Sequence, residues 1–187
     1  ANAVKFQFRD IDNTYMGKKE IGDEIISEEL NKNALTPVEI IELGKYAKDL
    51  GLLIGISFFD LKDISKFETS VEFFDFFKIP SVELTNTALI DKLLSVNKFL
   101  LISTGASDEQ SIENSFDRIK NDGWMPLHCI SNYPTAIYNS SLGYMNFLSK
   151  RWSRPVGYSS HDINWAVVTA AILLGANVIE RHITLNK

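Results

Sequence analysis

The chain has three histidines, and two of them, His161 and His182, stand 21 positions apart, the length of one strand plus one crossover helix. Parallel strands joined by such a helix bring their C-terminal ends side by side. Two neutral imidazoles there make a pair suited to a divalent metal, with coordination positions left for water or substrate. For each histidine alone, a satisfied core position is the alternative. Glu180 alternates in step with His182 and is a candidate ligand or a group that orients one. His128 falls near another strand end, and Cys129 beside it reads as a small core residue, not a nucleophile.

Two lysines also sit where a charge needs a partner. In Val4-Lys5-Phe6-Gln7-Phe8 the apolar residues alternate with Lys5 and Gln7, which puts the two polar side chains on one face of a strand. Inside a barrel that face would require an anion for Lys5; an edge strand with a solvated face is the other reading. Lys78 interrupts the apolar run 76–79 and is followed by Ser81 and Glu83. An ammonium buried there calls for a carboxylate or an oxyanion ligand, unless the side chain snorkels from the strand end. Together the lysines suit a substrate bearing both phosphate and carboxylate. Ser103-Thr104-Gly105 closes another apolar strand just before a helix, where backbone N–H groups can hold phosphate oxygens or form a plain turn.

The elements that would position these groups follow from period and punctuation. Strands are expected at 3–9, 53–59, 76–81, 99–105, 124–131, 155–160 and 178–184, with helices at 37–50, 64–75, 87–96, 108–122, 142–152 and 163–174. Thr36-Pro37 with Glu39 forms a helix start, Ser107 to Gln110 has the spacing of a capping box, and Gly51 and Gly123 are expected to end helices. Strict alternation implies an α/β fold with a parallel sheet, either doubly wound or an eight-stranded (β/α)8 TIM-type barrel. The barrel is favoured because no phosphate-loop glycine motif follows a strand, and because polar residues gather at nearly every strand end. Residues 10–35 break the rhythm and read as an active-site cover or a disordered loop.

Composition narrows the classes of partner. Apolar residues make up 45% and charged residues 23% of the 187, an ordinary globular balance with length for one domain. The net charge of −5 argues against nucleic acid or an anionic membrane as the main partner. A single cysteine cannot form an internal disulfide and fits a cytoplasmic setting. The longest apolar stretch, 166–179, is shorter than the ~20 residues of a membrane-spanning helix.

The motifs Lys5-Phe-Gln7, Ser57-Phe-Phe-Asp60, Lys78-Ile-Pro-Ser81-Val-Glu83, Leu101-Ile-Ser-Thr-Gly105, His128-Cys-Ile-Ser131-Asn-Tyr133-Pro134, Gly157-Tyr-Ser159-Ser-His161 and Val178-Ile-Glu-Arg-His182-Ile-Thr184 resemble, in order and spacing, those of the sialic acid synthase family. That family comprises N-acetylneuraminate synthases and relatives for legionaminic, pseudaminic and spore-coat sugars. The resemblance implies a TIM barrel condensing phosphoenolpyruvate with an N-acyl hexosamine such as N-acetylmannosamine, to give a nine-carbon 2-keto acid and phosphate. It implies that Lys5, Ser57, Lys78, Ser81, Ser103, Ser131 and Ser159 hold phosphoenolpyruvate, and that Gln7, Glu83 and Tyr133 hold the sugar. It further implies that His161 and His182 bind Mn2+ or Mg2+, and that Lys5, Lys78, Glu83 and the two histidines carry the catalysis.

The chain departs from the family pattern in places. Ser57 stands where threonine is common, Val82 where glycine commonly follows the serine, and Ser160 where the family usually has aspartate before the histidine. By the same resemblance the chain corresponds to strands two to eight, with the first strand, the last helix and a C-terminal antifreeze-like domain outside it. A cytoplasmic homodimer is the expected parent. The competing readings are a non-catalytic truncated fragment and a metal-dependent barrel hydrolase; the latter expects a His-x-His pair on an early strand, which this sequence lacks.

Overall fold

The structure, a computed structural model, describes residues 1–10, 32 and 34–184, so most of the irregular 10–35 stretch lies outside the described residues. The chain divides into two compact units, Ala1–Lys78 and Ile79–Lys187. In both, parallel strands alternate with helices, as the period of the sequence requires.

The first unit contains β1 (Ala3–Phe8), α1 (Pro37–Asp49), β2 (Leu53–Phe58), α2 (Leu61–Ser65) and most of β3 (Phe76–Ile79). β1 pairs with β2 and β2 with β3, both in parallel. The register aligns Gln7 with Ser57 and Ser57 with Lys78, so the polar row predicted from alternation lies on one face. Phe6, Ile56 and Phe77 align on the opposite face, where Phe8 and Phe58 pack with Phe67 at ring-centre distances of 5.0 and 5.4 Å. Burying each such side chain contributes ~1.5–3 kcal/mol, which fixes the register against a one-residue slip. α1 starts as expected: Thr36 Oγ1 accepts from the Glu39 N–H, and Glu39 accepts from the Thr36 N–H at 2.7 Å. Gly51, at φ 77°, follows its end.

One expected helix is corrected here. Residues 64–75 form no continuous helix. Asp60 caps a start at Leu61, α2 ends by Ser65, and the 3-10 turns of Glu68–Phe73 lead into β3. Packing decides this, because Phe67 and Phe74 are both buried and meet at 5.6 Å, which draws the backbone out of helical period.

The second unit contains the last residue of β3, then α3 (Thr87–Ser95), β4 (Phe99–Ser103), α4 (Glu109–Asp117), β5 (Trp124–Cys129), α5 (Gly143–Trp152), β6 (Val156–Ser160), α6 (Trp165–Leu173) and β7 (Ala176–Arg181). β4 to β7 pair successively in parallel. Ser103 shares a row with Leu127, and Cys129, Ser159 and Glu180 form another on the same face. Tyr158 and His128 occupy the opposite face and are buried, and Phe116 packs on Trp124 at a ring-centre distance of 4.7 Å.

Several boundaries differ from expectation; β4 and β5, for instance, end at Ser103 and Cys129, two residues early. Asp108, not Ser107, caps α4, by accepting from the Ser111 N–H at 2.8 Å. α4 ends at Asp117, so Gly123 belongs to the turn before β5 and not to a helix end. β7 stops at Arg181, which leaves His182 one residue past the strand. No helix among the described residues is long and apolar enough to cross a membrane.

Candidate active site

In the first unit, the end of the sheet gathers charge on one face. Lys5 Nζ donates to Ser57 Oγ at 3.2 Å. Ser57 is fully buried and Lys78, its neighbour in register, is 6% exposed. Gln7 lies in the same row but is exposed. The strand exits beside them are tied down by Asp63, whose carboxylate accepts from the N–H groups of Asp10, Phe59 and Asp60 at 2.9, 3.0 and 3.0 Å. Burial pushes the Asp63 carboxyl up, against the pull of those three bonds.

In the second unit, a group of hydroxyls surrounds the turn at Gly105. The Gly105 N–H donates to Ser81 Oγ at 3.1 Å. A Cβ at Gly105 would stand 2.8 Å from both the Cys129 carbonyl oxygen and Ser131 Oγ, so only glycine fits. Ser103 Oγ is buried with no hydrogen-bond partner, and Ser159 is 2% exposed. β3 ends at Ile79, short of the expected 81, so Ser81 and Glu83 lie in the 3-10 turn Ser81–Glu83 that follows it. Glu83 Oε2 accepts from Asn86 Nδ2 at 2.9 Å.

The histidine pair comes together in the same unit. The rings of His161 and His182 are centred 5.7 Å apart, and Tyr133 stacks on His161 at 3.9 Å and meets His182 edge-on at 5.9 Å. His161 Nδ1 is 2.8 Å from the Ile130 carbonyl oxygen. A carbonyl only accepts, so Nδ1 carries the proton, which makes Nε2 the nitrogen suited to a metal. Cys129 Sγ lies 3.8 Å from the same Nδ1. With Ser160, Asp162 and Arg181 these rings line a pocket of about 230 Å³.

Two nitrogen–metal bonds of about 2.1 Å can reach one ion from rings at this spacing. The donor set therefore fits a divalent cation held by His161 and His182, with other positions open. Among the described residues no group of three or more histidine, cysteine, aspartate or glutamate side chains forms a metal cage, so Glu180 does not complete one. Burial raises the Tyr133 hydroxyl pKa, aided by negative charge at Cys129 and Glu180.

His128 departs from the sequence expectation. It does not join the strand-end polar groups but lies 2% exposed on the face opposite Ser159, between the rings of Tyr144 and Tyr158. Its Nε2 donates to the Ser140 carbonyl at 2.7 Å, and desolvation pulls its pKa down. Alternation along β5 held the signal, since His128 and Cys129 must face opposite ways.

Sequence reasoning missed Asp162 and Arg181. Asp162 is 3% exposed; its carboxylate accepts from the Tyr158 hydroxyl at 3.0 Å and from the Ser160 hydroxyl. Arg181 Nη2 donates to the Asp162 carbonyl oxygen at 2.5 Å, and its guanidinium covers the Trp165 ring at 4.5 Å. Residues 158, 160 and 162 alternate on one face, a period that was readable.

Comparison with known proteins places the chain in a family. The chain is 38% identical over 117 residues to an N,N'-diacetyllegionaminic acid synthase of Legionella pneumophila, covering 59% of this chain and 33% of that protein. It is 32% identical over 158 residues to an N-acetylneuraminate-9-phosphate synthase of Drosophila melanogaster, covering 80% of this chain and 41% of that protein. The crystal structure of an N-acetylneuraminic acid synthetase from Leptospira borgpetersenii, in complex with citrate, shares the fold with a TM-score of 0.87 at 22% identity, over 100% of this chain and 64% of that one. The chain spans about half or less of the length of the curated relatives it matches. The NeuB family model matches residues 1–187, and the chain therefore belongs to the NeuB family, whose homologues here are sialic acid and related sugar acid synthases.

Proposed function

We propose that this chain is the barrel-type catalytic part of a sugar acid synthase that joins phosphoenolpyruvate to an N-acyl hexosamine. The observation that carries this reading is the His161–His182 pair, 5.7 Å apart beneath Tyr133, in a chain matched to the NeuB family throughout. The reaction forms a bond between the methylene carbon of phosphoenolpyruvate and the sugar's aldehyde carbon. Water adds at C2 and phosphate departs, which leaves a nine-carbon 2-keto acid.

Lys5 and Lys78 neutralise phosphate and carboxylate; Ser57, hydrogen-bonded to Lys5, fixes where that ammonium sits. In the second unit Ser103 donates its unpartnered hydroxyl proton to a ligand oxygen, which removes the roughly 1–3 kcal/mol cost of a buried unmet polar group. Ser81, Ser131 and Ser159 offer further hydroxyls in the same unit. Gln7, Glu83 and Tyr133 orient the sugar. Imidazole ligands suit Mn2+ better than Mg2+, which prefers oxygen. Held by His161 and His182, the cation supplies Lewis-acid polarisation of the aldehyde. The parent enzyme acts as a homodimer.

The test is phosphate release by the full-length enzyme given phosphoenolpyruvate, a panel of N-acyl hexosamines and Mn2+. Release only when all three are present supports the proposal. Release from phosphoenolpyruvate alone, or none with any sugar while Mn2+ binds, contradicts it.

A further inference from the structure

Asp162 is an acid almost entirely buried, and it stands next to a candidate metal ligand. Its two carboxylate oxygens take hydrogen bonds from Tyr158 and Ser160. Ser160 and Asp162 flank His161, so the bond between their side chains closes around that residue's backbone. A second restraint comes from Thr135, which bridges to Asp162 and whose N–H donates to the His161 carbonyl at 3.0 Å. Nδ1 is held separately by Ile130. Asp162 and Ser160 also line the pocket that contains both imidazoles. The sequence has serine at 160, the position where the family resemblance expects an acid, and the Ser160–Asp162 bond ties an acid from two residues further on to that position.

We propose that Asp162 is the positioning residue of the histidine pair. Its carboxylate, clasped by Ser160, fixes His161 in the place where its ring meets that of His182 in the pocket. This rests on the metal reading of the pair. Outer groups of this kind change metal affinity by roughly 10–100-fold.

The experiment is Mn2+ titration followed by electron paramagnetic resonance of the free ion and by calorimetry, with thermal unfolding as the control for fold. It compares the wild-type protein, His161→Ala/His182→Ala, Asp162→Asn, Asp162→Ser, and Ser160→Asp combined with Asp162→Ser. The expected result is one ion bound by the wild type, none by the double histidine variant, and roughly 10–100-fold weaker binding by Asp162→Asn. The transposed variant recovers most of the affinity that Asp162→Ser loses, which a role in folding alone would not produce, and it decides the matter if Asp162→Asn fails to fold. Asp162→Asn within twofold of wild type, or a transposed variant no better than Asp162→Ser, overturns the role of Asp162 and leaves the metal reading standing. A wild type that binds no Mn2+, or a double histidine variant that binds normally, overturns the metal reading and this proposal with it.

Discussion

His161 donates its Nδ1 proton to the Ile130 carbonyl oxygen at 2.8 Å, and this one bond fixes the tautomer of the ring. The neighbouring residue on the strand side, Ser160, reaches past it to Asp162, while Tyr133 covers the ring at 3.9 Å. The imidazole is thus fixed in tautomer by the end of β5, in backbone by its own flanks, and in tilt by an aromatic lid. Each restraint suits a preorganised ligand rather than a core histidine.

Replacing Lys78 with Met separates its role in binding from its role in folding. A methionine fills a similar volume without a charge, and the buried ammonium contributes desolvation cost. Thermal unfolding of the variant is the control for fold. Phosphoenolpyruvate affinity, measured by calorimetry, is expected to fall roughly 10- to 100-fold, the equivalent of losing a ~1.5–3 kcal/mol hydrogen bond to a charged group. Unchanged affinity would remove Lys78 from the substrate site.

His128 predicts a pH dependence of stability with a definite sign. Burial lowers its folded pKa below the ordinary value of about 6.5. As pH falls through that value the unfolded chain takes up a proton that the folded chain resists, so stability drops on acidification. His128→Gln does not titrate and is expected to flatten the slope of melting temperature against pH below about 6.5. An identical slope in both proteins would contradict the assignment.

Gly105→Ala tests the tight turn among the hydroxyls. The new Cβ meets the Cys129 carbonyl oxygen at 2.8 Å, and backbone must move to admit it. Overpacking of this kind costs typically ~1–3 kcal/mol, and at about 2–4 °C per kcal/mol for a chain of this size the melting temperature should fall by about 2–12 °C. Scanning calorimetry reads this directly; an unchanged transition would show that the turn is not close-packed.

Asp63→Ala should loosen the exit of β1. Three backbone N–H groups lose their acceptor at once. Amide exchange at Asp10, Phe59 and Asp60 is expected to accelerate at least tenfold, consistent with ~1.5–3 kcal/mol for hydrogen bonds to a charged group. Exchange rates equal to wild type would show that other contacts hold the strand end.

The strands were largely legible because their signal is local. Phe6 and Phe8 alternate with Lys5 and Gln7, and burial of one set decides the face of the other. The histidine pair was legible from spacing alone, through the repeat of strand and helix. The region after β2 was not, because the path of residues 64–75 depends on Phe67 meeting Phe8, Phe58 and Phe74, partners distant in sequence or set by the chain's turn. Asp162 escaped notice for a related reason. Its role follows from a hydrogen bond that folds back over His161, a contact between side chains two positions apart that no local pattern marks.

The central claim is a carbon–carbon bond-forming reaction, and the product tests it most directly. Mass spectrometry of the full-length enzyme incubated with phosphoenolpyruvate, N-acyl hexosamine and Mn2+ is predicted to show a 2-keto acid whose mass equals the sugar plus the three-carbon unit, formed in equal amount to the phosphate released. Phosphate accompanied by pyruvate and unchanged sugar would contradict the account.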